Sequence, residues 1–130
     1  MFQQLPFDKE WFLRLAMGSV FLYHGLSKNV NAFSKSFKLP LLVAGLVPLA
    51  EISGGSGYLL GGLDNFSDKT FLGYTITQLA SLAVIPVLLG AIIMVHWKNG
   101  FNFMNNGYEF QFTLLMIALY FLFQNENQYF

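Results

Sequence analysis

Five ionisable side chains lie within or at the ends of the apolar runs of this chain: Arg14, His24, Glu51, His96 and Glu109. Their types suit proton and hydrogen-bond chemistry. A histidine donates to a carbonyl and passes a proton near neutral pH. A carboxylate beside a guanidinium forms an ion pair that holds two segments together or relays a proton. Glu51 is the most isolated of the five, because the nearest charged residues along the chain are Lys38 and Asp64. Groups of this kind are costly in lipid, so they face a bundle interior and pair with one another.

The segments that must position them are long and apolar. Charged residues make up 11% of the 130-residue chain and apolar residues 55%, against about 25% charged in an ordinary soluble domain. A membrane helix needs roughly 20 apolar residues. Four segments, at about 11–27, 40–63, 71–96 and 109–124, meet or approach that length, the last being short. Pro86 is expected to kink the third. A soluble bundle would show a polar face on each helix, whereas LLVAGLVPLA and LAVIPVLLGAIIMV are apolar all round. The expected fold is therefore all-α: one integral-membrane domain, a four-helix transmembrane bundle. The first loop, KNVNAFSKSFKL, spaces Val30, Phe33 and Phe37 as a short amphipathic helix lying in the interface. The first helix lacks the flanks of a cleaved signal and is expected to be retained.

Net charge is zero, so no basic surplus exists to hold nucleic acid. There is no cysteine, which excludes disulfide, thiol and thiolate-metal chemistry. Lys28, Lys35, Lys38 and Lys98 fall on the side of the first and third loops, which the positive-inside rule makes cytoplasmic.

A depth estimate pairs the groups. At about 1.5 Å per residue, Arg14 lies roughly 21 Å from Lys28 and Glu51 roughly 18 Å from Leu39. If both helices end at one level, Arg14 is the partner of Glu51. Gly54, Gly55, Gly57, Gly61 and Gly62 form a small-residue stripe that would let the first two helices approach closely. A second cluster is expected at the other end. His24 and Lys28 share a helix face, His96 ends the third span, and Glu109 starts the fourth. Tyr23, Trp97, Phe101 and Tyr108 would wall this pocket, with Gln78 and Ser81 extending a polar path inward.

These residues carry a family resemblance. RLAMGSVFLYHGLSK with Arg14, His24, Gly25 and Lys28, EISGGSGYLLGGL with Glu51, Gly54 and Gly61, and VHWKNGFNFMNNGYEF with His96, Gly100, Gly107 and Glu109 resemble the DoxX family of small four-helix membrane proteins. The resemblance covers about residues 11–124. It implies a multi-pass protein of a prokaryotic plasma membrane, linked to membrane redox chemistry. The founding members are similar to subunits of a thiosulfate:quinone oxidoreductase. Longer members carry a glycine-rich tail, whereas this chain ends in NENQYF.

Functional expectations follow. His24, His96 and Glu109 are the candidate catalytic groups, and Arg14 with Glu51 a buried pair and possible proton relay. Lys28, Tyr23, Trp97 and Tyr108 are the candidate contacts of a quinone, the expected cofactor. The bland alternatives are a register-fixing ion pair, polar caps at the interface, and an N-terminal acid favoured by the helix dipole. A haem held by His24 and His96, or a metal held by these two and Glu109, is also chemically possible. Expected partners are the lipid bilayer and either other membrane subunits or further copies of this chain. Rival functions are a structural subunit without chemistry of its own and a small proton-coupled exporter.

Overall fold

The computed structural model describes residues 8–124; the NENQYF end lies outside the described residues. Helix α1 (Glu10–Ser27) begins where the Asp8 carboxylate accepts from Glu10 N–H at 3.1 Å. It stops at Lys28, whose backbone is extended. Asn29 then caps a short helix, α2 (Val30–Phe37), by accepting from Ala32 N–H at 3.1 Å. Lys38 closes α2 in the left-handed region at φ 53°. Pro40 leads directly into α3 (Leu41–Leu60), which continues through Pro48 to Gly61.

The third span starts later than the sequence suggests. Residues expected to open it form a two-strand hairpin instead, β1 (Thr70–Phe71) and β2 (Tyr74–Thr75), with Thr70 opposite Thr75. Leu72 at φ 56° and Gly73 at φ 85° supply the paired positive φ that a tight hairpin turn requires. Helix α4 (Ile76–Gly90) then opens with a capping box, Thr75 and Gln78 each bonding the other's backbone. It runs through Pro86 and widens into a π-helical segment, Ala91–His96. A 3-10 turn, Trp97–Asn99, breaks at Gly100, whose φ is 78°. A second, Phe103–Asn105, leads to α5 (Glu109–Leu122).

Helix α1 packs on α3, α3 on α4, and α4 on α5, while α2 lies against α3. The core holds Met17, Phe21, Tyr58, Val84, Leu88, Leu114 and Phe121. Among the described residues, two helices are long and apolar enough to cross a membrane: Leu41–Leu60 and Ile76–Asn99. Helix α5 is apolar but shorter, at 14 residues.

The glycines of α3 serve two neighbours. A Cβ on Gly55 would stand 2.9 Å from Leu22 N and 3.0 Å from Gly18 O, backbone atoms that cannot step aside. Gly54, Gly57 and Gly61 face α4 instead, against Val84, Ala80 and Thr77. The register of α1 on α3 follows: Gly25 meets Pro48 and Ile52, Leu22 meets Gly55, Gly18 meets Leu59, and Arg14 meets Gly62. The start of α3 thus projects past the end of α1, and α2 occupies that space.

Candidate functional site

This register overturns the expected pairing of Arg14 with Glu51. The two helices do not end at one level, so the depth estimate placed Glu51 too close to Arg14. Lys28 Nζ lies 2.8 Å from Glu51 Oε1 instead. The ammonium also reaches the His24 carbonyl at 3.4 Å and sits 5.7 Å from the centre of the Phe33 ring. At that separation the ammonium stands directly against buried Oε1 as its ion-pair partner. Glu51 is 4% exposed.

Arg14 belongs to a separate group near the other end of the molecule. Its Nη1 donates to the Tyr58 carbonyl at 2.9 Å and to the Thr77 hydroxyl at 2.7 Å. The guanidinium carbon lies 5.2 Å from the centre of the Phe121 ring. Tyr58 and Ser81 share a buried hydroxyl–hydroxyl bond of 2.7 Å. Gln78 does not extend a path toward the second cluster: its amide donates to the carbonyls of Leu122 and Gln124, tying α4 to the end of α5.

The Glu51–Lys28 pair borders a cavity of about 640 Å³ in the half of the molecule where α1 ends and α5 begins. All five helices and the π segment contribute to its walls. His24 and Lys28 come from the end of α1, Phe33 and Phe37 from α2, Glu51 from α3, His96 from the π segment, and Gln111 from α5. The rest of the lining is aliphatic or aromatic, including Val47, Pro86, Val87, Met94 and Phe110. An apolar chamber with a few convergent polar groups is the usual form of a small-molecule site. The π segment bears on this, because such widened turns recur at functional sites.

His96 is held from both ring nitrogens. Nδ1 lies 2.8 Å from the Asn106 carbonyl, and Nε2 lies 3.3 Å from Gln111 Nε2. A carbonyl oxygen only accepts, so Nδ1 carries the hydrogen. In the neutral ring Nε2 then accepts from the Gln111 amide. This leaves Gln111 Oε1 buried with no hydrogen-bond partner.

The remaining candidates sit elsewhere. The Glu109 carboxylate accepts from Phe103 N–H at 3.1 Å and braces the loop before α5; it does not line the cavity. Tyr23, 70% exposed, points outward, its ring edge-on to His24. Trp97 and Tyr108 stack at 5.2 Å with their planes 12° apart, outside the cavity lining, and Phe101 packs edge-on against Tyr108. Aromatic and acidic residues near a helix end suggested pocket walls, but here they fold on one another. Among the described residues, no three His, Asp or Glu side chains come together to hold a metal, which removes the His24–His96–Glu109 metal site.

Sequence reasoning missed Gln111. Its signal was weak: one amide in EFQFTLLMIALYFL, two residues after a glutamate that drew the attention. Compared with family models, curated proteins and solved structures, the chain finds no match.

Proposed function

We propose that this chain is a small integral-membrane component of a redox system that binds a quinone head group in the cavity beside Glu51. In this reading α1, α3, α4 with its π segment, and α5 are four spans of a transmembrane bundle, and α2 lies in the interface. The outward apolar surface supports membrane insertion. Leu26, Leu42 and Ile93 are at least 65% exposed, and only 28% of the most apolar stretch of Ile76–Asn99 is buried inside the protein. The core helix of a water-soluble protein would be mostly covered. Exposed apolar area on that scale fits lipid contact better than water. On α2, Phe33 and Phe37 turn toward the cavity while Lys35 and Lys38 are exposed, as an interfacial helix requires.

The single observation that carries the reading is the cavity itself. Its apolar walls suit a ring and the start of an isoprenoid tail. Lys28, Glu51, His24, His96 and Gln111 gather polar contacts on the same walls. His96 and His24 would contact or serve the head group's oxygens, and Lys28 with Glu51 would balance charge as protons move. The motifs around Arg14, Glu51 and His96 resemble those of the DoxX family and support the same class of activity. That resemblance also favours a prokaryotic plasma membrane and partner subunits.

The test is purification in a mild detergent, followed by lipid extraction and an oxidised-minus-reduced ultraviolet spectrum. Quinone in near-equimolar amount is expected with the native chain and strongly reduced with Lys28→Met. Folded protein that neither carries quinone nor binds an added short-chain quinone would reject the proposal in favour of a purely structural subunit.

A further inference from the structure

The cavity is unevenly equipped with hydrogen-bonding groups. Among the described residues, Gln111 Oε1, an acceptor on a residue that lines it, is buried with no hydrogen-bond partner, whereas Glu51 Oε1 has the Lys28 ammonium at 2.8 Å. The assignment of the Gln111 oxygen does not rest on an arbitrary amide orientation. With the Nδ1 hydrogen on the Asn106 carbonyl, a singly protonated His96 turns the lone pair of Nε2 to the NH2 of Gln111. Lys28, the ammonium of the cavity, is already occupied by Glu51, the His24 carbonyl and the Phe33 face. A buried acceptor without a donor is a standing cost of about 1–3 kcal/mol. A ligand that brings donors removes the cost, and one that brings only acceptors does not.

We infer that the cavity prefers the reduced, dihydroxy form of a quinone, one of whose O–H groups donates to Gln111 Oε1. A benzoquinone ring presents two carbonyl acceptors and leaves Gln111 Oε1 unmatched. Its hydroquinone has the same ring and tail and presents two donors. The inference rests on the quinone-binding reading and adds which redox state the site holds.

The experiment measures binding to the full chain in lipid nanodiscs, by anaerobic equilibrium dialysis, of four probes with one decyl chain. These are decyl-hydroquinone, decyl-benzoquinone, the dimethyl ether of the hydroquinone, and a decyl glycerol ether. The hydroquinone is expected to bind about tenfold more tightly than the benzoquinone or the dimethyl ether, the value of one good hydrogen bond. Gln111→Met should abolish that preference, with folding checked by circular dichroism. Benzoquinone binding as tightly as hydroquinone overturns the inference while the quinone reading stands. Binding of the glycerol ether alone, lost in Gln111→Met, rejects the quinone reading and with it the hydroquinone assignment. Absence of binding by all four probes rejects both.

Discussion

The two polar groups of this protein differ in how they are closed. Around Arg14, two helix ends and two helix starts meet tightly, and the guanidinium, the Tyr58 carbonyl and the Thr77 hydroxyl satisfy one another. Around Glu51, five helices stand apart around an opening of about 640 Å³, and the Gln111 amide oxygen lacks a donor. The glycines account for the contrast. Gly54, Gly55 and Gly57 on α3, with Gly61 and Gly62 just past its end, all follow Glu51, where α1 and α4 come close. Before Glu51, α3 gives Leu46 and Val47 to the cavity walls, while Gly25 still brings α1 against the Pro48 carbonyl. One helix therefore makes a sealed joint with its second half and a chamber with its first. A charge in the joint stabilises packing; a charge in the chamber is available to a ligand.

That contrast is open to direct attack, the largest effects coming from the joint. Arg14→Leu removes two charge-assisted bonds and strands the Tyr58 carbonyl and Thr77 hydroxyl. Thermal unfolding in detergent should show a loss of about 3 kcal/mol, and the protein that remains folded should bind ligand normally. A ligand defect without a stability defect would reverse the assignment of the two groups. Lys28→Met leaves Glu51 buried without its cation. The cost should be about 2 kcal/mol, less than for a fully enclosed pair because the lysine side chain is 20% exposed. Adding Glu51→Gln should recover most of that stability but none of the ligand affinity; a double variant that still binds would show the pair to be structural.

Smaller effects sharpen the distinction. Tyr58→Phe deletes the bond to Ser81 and should cost about 1 kcal/mol in the same unfolding assay, with ligand affinity unchanged. Gln111→Met should shift stability by less than about 0.5 kcal/mol, because one lost bond to His96 is offset by the loss of an unpaired acceptor. Its measurable consequence is confined to binding. A large fall in its melting temperature would place Gln111 with the joint.

Much of the frame was legible in the sequence. The apolar runs located the helices, and the amphipathic spacing of Val30, Phe33 and Phe37 located α2. The isolation of Glu51 pointed to a partner on another helix, and the structure supplies Lys28 where Arg14 was expected. The identity of that partner was not legible, because it depends on how far α3 overshoots α1, and this offset is set by contacts such as Gly25 with Pro48 and Ile52. The hairpin before α4 was hidden for a different reason. Leu72 is an unusual residue at positive φ, so Leu-Gly does not announce a turn as Asn-Gly would. Glu109 misled because a carboxylate at a helix start has a local use, here the Phe103 N–H, that spacing alone does not distinguish from a site.

The widened turn at Ala91–His96 sets the angular phase of everything that follows it. A π turn holds one residue more than an α turn, so deleting a single residue there, for instance outward-facing Ile93, would let the backbone rewind. Each residue of an α-helix advances the azimuth by about 100°. Five residues at that step sweep about the same arc as the six of the wider turn, so His96 would keep the wall it shares with Gln111 while the π geometry disappeared. A one-residue shortening is therefore a sharper probe of this segment than any substitution, since it removes the widened turn and leaves the histidine pointing where it did.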